Sequence, residues 1–156
     1  MTTIDHLDIK IMRILAENGR ISISELAEQV GLSQTPTAKR IRRLEQSELI
    51  TGYQAVLNET RLGGSMTVFT WVSLIDQNRE SLDAFEESMA KSPEVMDCYL
   101  MTGDADYLIR VAVDGLDEFE RFLTERLSRS DKVSSIRSSV AVRPVALKRR
   151  PPSLTR

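Results

Sequence analysis

Two short helical patterns separated by a glycine constrain the fold of this chain more than any other feature. Ser22 and Glu25 have the spacing of a capping box, which predicts a helix beginning there. Gly31 can adopt the left-handed conformation that ends a helix. Ser33 can cap a second helix, in which Pro36 is tolerated because it lies in the first turn. Two helices joined by a tight turn that contains glycine predict a helix-turn-helix.

The second helix of this pair has a basic outer face. No acidic residue lies between Glu28 and Glu45, and placing Ile41 at the centre of the buried side leaves cationic and hydroxyl side chains pointing outward. Guanidinium groups pair with guanine edges and with phosphates, so this face predicts contact with double-stranded DNA. A solvated basic face without a ligand is the alternative. The predicted DNA-contacting residues are Ser33, Gln34, Thr35, Pro36, Lys39, Arg40 and Arg43.

The second half of the chain alternates between strand and helix patterns. Residues 66–75, 95–102, 106–113 and 136–142 are predicted strands, and helical spacing after the first and third of them predicts two helices. This order is the ferredoxin-like βαββαβ pattern. The predicted fold class is therefore α+β: an all-α, winged-helix-like helix-turn-helix domain joined to a ferredoxin-like domain.

The domain boundaries follow from the turn and linker signals. An apolar-periodic helix opens the chain and ends near Asn18, and residues 53–57 alternate as a strand after the turn signal at Gly52. The assigned segments are the helix-turn-helix domain 1–57, a linker 58–65, an effector-binding and oligomerisation domain 66–146, and a basic tail 147–156.

The first predicted strand is apolar on both of its faces. Val68 and Val72 lie on one side, and Phe69 and Trp71 lie on the other. Because two helices cover only one face of a four-stranded sheet, the second apolar face needs another partner. A second copy of the chain covering Phe69 and Trp71 is the simplest one, whereas an uneven sheet capped by the linker is the alternative.

Composition and charge exclude several classes of function. The chain has one histidine, His6, and one cysteine, Cys98, which leaves almost no material for a metal site or a Cys–His nucleophile. We therefore expect no enzyme activity, no cofactor and no metal. The start of the sequence lacks the pattern of a signal peptide, and no apolar run is long enough for a membrane helix, so we expect a cytoplasmic protein without a membrane partner.

The sequence resembles the Lrp/AsnC family of feast/famine regulators over nearly its whole length. The resemblance rests on Asp5 and Asp8 before an Ile-rich helix, on residues 19–58, on MTGDADYLIRV at 101–111 and on VSSIRSS at 133–139. It implies a transcription regulator with an amino acid effector and dimers that join into tetramers or octamers. Thr37 stands where most such regulators have a cysteine. An architectural DNA-binding protein without an effector is the alternative.

The turn after residue 102 is the candidate effector site. Asp104 and Asp106 follow Gly103, which is ordinary turn chemistry but could also bind the ammonium group of an amino acid. The family binds its ligand in this region, between dimers. The predicted effector-binding residues are Met101, Gly103, Asp104, Asp106, Tyr107, Leu108 and Ser138.

Overall fold

The computed structural model describes residues 4–128, 131–147, 151 and 154. The chain forms two compact units, one of Met1–Val56 with Ala146–Arg156 and the other of Leu57–Val145. The segment that sequence analysis set apart as a basic tail is thus grouped with the N-terminal helices. Its cationic residues Lys148, Arg149, Arg150 and Arg156 lie outside the described residues.

The first unit contains three helices around a small apolar core. These are α1 (His6–Glu17), α2 (Ile23–Val30) and α3 (Gln34–Gln46). Each helix contributes to the core, whose buried residues are Ile11, Leu26, Val30 and Leu44. The predicted helix-turn-helix is therefore present as α2 and α3.

The caps of α2 and α3 have the predicted chemistry at all but one position. The Ser22 hydroxyl accepts from the Glu25 backbone N–H at 3.2 Å, and the Glu25 carboxylate accepts from the Ser22 N–H at 3.1 Å. Gly31 ends α2 with φ 77°, a left-handed conformation that favours glycine. Ser33 occupies the N-cap position of α3, but its side chain makes no capping hydrogen bond.

The strand predicted over residues 53–57 is wrong. Residues 53–57 belong to no regular element and pair with no strand in the part of the chain that the structure describes. Val56 and Leu57 are 74% and 64% exposed. Alternation of apolar residues indicates an extended segment, but a strand also needs a hydrogen-bonding neighbour.

The second unit is the predicted ferredoxin-like sheet. Its antiparallel strands have the order β2-β3-β1-β4. All four strands differ from the prediction at one end or both: the first, second and fourth end earlier, the third begins one residue later, and the fourth begins three residues earlier. The observed strands are β1 (Met66–Leu74), β2 (Val95–Leu100), β3 (Tyr107–Val113) and β4 (Val133–Val140).

Two helices cover one face of this sheet. They are α4 (Arg79–Ala90) and α5 (Leu116–Phe122), and α5 continues in a π-helical turn, Leu123–Leu127. Together with the inward side chains of β1 and β3 they enclose the main core. Among the described helices, none is long and apolar enough to cross a membrane.

Candidate functional site

The exposed face of α3 is narrower than the sequence predicted. Thr37 and Leu44 are fully buried, so they mark the inward side of the helix. Thr35, Lys39 and Arg42 are exposed and have the spacing i, i+4 and i+7, which places them on one line opposite that side. This line of three side chains, here called the outer line of α3, includes Arg42, which was not among the predicted contact residues.

Arg40 is turned towards α1 and does not point freely outward as predicted. Its guanidinium Nη1 donates to Asp5 Oδ2 at 2.7 Å and to Asp8 Oδ1 at 2.8 Å. Arg43 Nη2 donates to the other oxygen of the same Asp8 carboxylate at 2.5 Å. The Asp8 side chain is fully buried, whereas those of Arg40 and Arg43 are 23% and 45% exposed. The two arginines are thus held by a carboxylate within the helical unit.

A capping box at the start of α1 fixes both carboxylates. The Asp8 N–H donates to Asp5 Oδ1 at 2.9 Å, and the Asp5 N–H donates to Asp8 Oδ2 at 3.1 Å. This backbone hydrogen bond from Asp8, followed by the one from Arg40, lowers the pKa of Asp5 to about 2. Hydrogen bonds to Asp8 and then Asp5 raise the pKa of Arg40. We call Asp5, Asp8, Arg40 and Arg43 the Asp–Arg cluster.

The role of these two acids was not predicted from the sequence. Asp5 and Asp8 entered only through a family resemblance, although an acid at an N-cap followed by another three residues later has capping-box spacing. Because the cluster pairs two carboxylates with two guanidiniums, less positive charge is available on α3 than its composition indicates.

The first turn of α3 contains the remaining predicted DNA-contacting residues. Ser33 and Gln34 are exposed and Pro36 is half-buried. The amide of Gln34 donates to Ser24 Oγ at 3.3 Å, and the Thr37 hydroxyl donates to the Ser33 carbonyl at 2.9 Å. No side chain of the described residues caps this turn, so the backbone N–H groups of Gln34 and Thr35 can donate to an anion.

The turn between β2 and β3 is exposed and needs its glycine. Gly103 has φ 129°, where any other side chain would be strained. The Met101 N–H donates to the Asp106 carbonyl at 2.8 Å and closes the turn. The Asp104 carbonyl accepts from Ser73 Oγ at 3.5 Å, and Asp104 itself is exposed. The Asp104 carboxylate has no hydrogen-bond partner within the described part of the chain.

Asp106 is engaged inside its own unit. Its carboxylate accepts from the Leu74 N–H at 2.7 Å and from the Gln77 side-chain amide at 2.6 Å. These bonds fasten the end of β1 and the loop that leads to α4. Both oxygens are occupied, so the geometry gives Asp106 a structural role in the single chain.

The other predicted effector residues are not gathered at this turn. Tyr107 is buried on the helix side, and its hydroxyl donates to Glu86 Oε1 at 2.8 Å, whereas Leu108 points to the opposite face. Ser138 lies on β4, where its hydroxyl is 3.0 Å from that of buried Thr70. The predicted residues, all of them described, are therefore spread over different faces of the ferredoxin-like unit.

A separate cavity of about 540 Å³ lies between α4 and β2. Tyr107 is the one predicted residue that lines it, beside Glu86 and Cys98. Burial is the main cause that raises the pKa of Cys98 to about 11, so its thiol is protonated at neutral pH. A protonated, half-buried thiol is consistent with a packing role for Cys98.

The sheet face without helices has an apolar row at its centre. Trp71 lies between Leu108 on β3 and Arg137 on β4, and Tyr99 on β2 extends the row beyond Leu108. The Arg137 guanidinium carbon is 5.3 Å from the centroid of the Trp71 ring, a cation–π distance. Phe69 lies on the same face, one row away. We call this surface the open sheet face.

Comparison with known proteins identifies both units. Residues 4–51 match the winged helix-turn-helix DNA-binding family, and residues 67–151 match the Lrp/AsnC ligand binding domain. The Bkd operon transcriptional regulator of Pseudomonas aeruginosa is 47% identical over 97% of this chain and 99% of its own length. The leucine-responsive regulatory protein of Escherichia coli K12 is 38% identical over 91% of this chain and 87% of its own.

A solved structure agrees with both matches. The crystal structure of a transcriptional regulator from Neisseria meningitidis in complex with L-Met has a TM-score of 0.92 and 31% identity. It covers 96% of this chain and 97% of its own. Both the helix-turn-helix unit and the ferredoxin-like unit thus have counterparts in transcriptional regulators, and the chain belongs to the Lrp/AsnC family of DNA-binding transcriptional regulators.

Proposed function

We propose that this regulator reads double-stranded DNA with the outer line of α3. Lys39 and Arg42 are exposed, and neither has an ion pair among the residues that the structure describes. Such cations attract phosphates, and side chains near the start of a recognition helix, such as Thr35, contact base edges. The observation that carries the proposal is the position of these three side chains opposite the buried face of α3.

We infer that Arg43 contributes a phosphate contact and that Arg40 does not act as a free DNA ligand. A guanidinium has five N–H donors, and Arg43 is about half exposed while one of its nitrogens holds Asp8. It can therefore bind Asp8 and an anion together. Arg40 directs one nitrogen to two carboxylates and is mostly covered, so its contribution is to position the helix.

We propose an amino acid as the effector, bound at the turn between β2 and β3. Two similar proteins support this chemistry, since one is named leucine-responsive and the other was crystallised with L-Met. The exposed Asp104 carboxylate can accept hydrogen bonds from an ammonium group, and the turn around Gly103 offers backbone N–H groups for a carboxylate. Because the predicted residues are spread over different faces of the unit, we propose that a neighbouring subunit completes the site.

We propose that the chain is at least a dimer, joined through the open sheet face. Trp71 and Phe69 are only half-buried in the single chain, and a row of large side chains surrounds them. A second copy would cover this apolar surface, which water otherwise contacts. Tetramers and octamers are the larger assemblies that the family resemblance implies.

Trp71→Ala is expected to raise the dissociation constant of the dimer at least about thirtyfold, because a central tryptophan of an interface contributes about 2 kcal/mol or more. Sedimentation velocity over a dilution series measures this constant. Leu116→Ala is the matched control, since Leu116 is a large, 68% exposed side chain outside the open sheet face. A wild-type monomer at micromolar concentration, or equal assembly of Trp71→Ala and wild type, would contradict the proposal.

Asp104→Ala is expected to weaken binding of L-leucine or L-methionine by about tenfold, because it removes a charged hydrogen-bond acceptor from the ammonium group. A thermal-shift titration with each amino acid measures the effect, and DNA binding without the amino acid should stay unchanged. Asp117→Ala removes an exposed carboxylate elsewhere in the same unit and serves as the control.

Asp106→Ala distinguishes the structural role of Asp106 from the ligand-binding role proposed for Asp104. It should lower the melting temperature of the ferredoxin-like unit without any ligand, because two hydrogen bonds at the end of β1 are lost.

Equal responses of the wild type and Asp104→Ala to the amino acids would refute an effector site at Asp104. If no amino acid shifted the wild type, an effector-free architectural protein would replace the regulator proposed here.

A further inference from the structure

Leu154 packs within the helical unit. Leu154 is only 9% exposed, although it is the third residue from the C-terminus. Its carbonyl accepts from Arg13 Nε on α1 at 2.8 Å, and its N–H donates to the Pro151 carbonyl at 3.0 Å. Leu154 is therefore held by a side chain of α1.

An apolar groove on the helical unit receives this segment. Pro151 and Leu154 line a cavity of about 540 Å³ together with side chains from α1 and from the segment that follows α3. The wall formed by α1 includes Ile9, Met12 and Leu15, and the wall formed by the segment after α3 includes Leu49, Ile50 and Tyr53. Tyr53 is fixed by a 3.0 Å hydrogen bond from its hydroxyl to Glu45. A leucine in such a groove removes apolar surface from water on both partners.

We propose that the C-terminal segment around Leu154 is an intrinsic part of the DNA-binding domain and docks within its own chain as a ligand for this groove. The ferredoxin-like unit is then an insertion between two pieces of the helical unit, 1–56 and 146–156. None of the three residues of the outer line of α3 lines the groove. Within the described residues, the groove that Pro151 and Leu154 line is therefore separate from the outer line of α3.

Hydrogen–deuterium exchange of the full-length chain, read by mass spectrometry, tests this docking. Leu154→Asp should increase amide exchange in α1 and in residues 49–53 by about tenfold, because local opening becomes easier when a buried leucine is lost. Exchange in β3 should stay unchanged. Removal of residues 148–156 should give the same pattern, and Leu154→Ala should give a smaller increase.

Leu147→Asp is the matched control, because Leu147 is a leucine of the same C-terminal segment that is 77% exposed. Unchanged protection of α1 in both Leu154→Asp and the shortened chain would overturn the proposal. If the wild type lost the protection of these amides on dilution, the tail of a neighbouring chain would be the occupant of the groove. This result too would overturn docking within the chain. An increase confined to α1 and residues 49–53 supports it.

Discussion

Asp8→Ala is expected to lower the free energy of unfolding of the helical unit by about 2 kcal/mol, since it removes charged hydrogen bonds to two arginines and one half of a capping box. The loss stays below that of a fully buried ion pair, because Arg40 and Arg43 can still reach water. Affinity for DNA should fall as well, since α3 loses its link to α1. Urea denaturation followed by helical circular dichroism measures the stability change.

Two further variants isolate the contribution of the Asp–Arg cluster. Asp8→Asn keeps the shape of the side chain and removes its charge, so it should retain part of the stability. Glu28→Ala, which removes an exposed acid from α2, should leave the unfolding midpoint nearly unchanged. If Asp8→Ala unfolded at the same urea concentration as Glu28→Ala, the cluster would have no role in holding α3.

Lys39→Ala and Arg42→Ala are expected to weaken binding to DNA while leaving the fold intact. A lost phosphate contact weakens binding to all sequences alike and reduces the slope of log K against log salt by about one. A lost base contact costs about 1–3 kcal/mol and relaxes the preference at one position of the site. A salt series with a cognate and a random duplex distinguishes the two cases.

Two substitutions that each remove a cation from the ferredoxin-like unit control for the change in net charge. Lys91 and Arg79 are exposed residues of α4, in the other unit, so Lys91→Ala and Arg79→Ala should leave the salt slope unchanged. Arg40→Ala should differ from these four variants, because it should lower both the stability of the helical unit and its affinity for DNA. Wild-type binding by both Lys39→Ala and Arg42→Ala would show that the outer line of α3 does not read DNA.

The fold could be predicted because its signals are local. The capping box at Ser22 and the left-handed Gly31 act within a few residues, and the alternation between strand and helix patterns gives the βαββαβ order directly. The strand expected at 53–57 failed because a strand needs a neighbour that the local pattern does not provide.

The sites were harder to predict because they depend on contacts between distant residues. Arg40 and Asp5 are 35 residues apart in the sequence, and only the packing of α1 against α3 brings them together. The functions of Asp104 and Asp106 are indistinguishable in the sequence, yet one carboxylate is exposed while the other holds the end of β1. Composition thus identifies which residues have suitable chemistry, but tertiary structure decides which of them are available to a ligand.

The position of Trp71 provides the protein with an optical probe of its own. It is the only tryptophan in the sequence, and its indole lies on the open sheet face beside the Arg137 guanidinium. Indole emission depends on the polarity and charge around the ring, so its colour and intensity report what covers this face. Titrations with DNA, amino acids or unlabelled protein can therefore be followed by intrinsic fluorescence without attaching a dye, and each signal originates from one known place in the molecule.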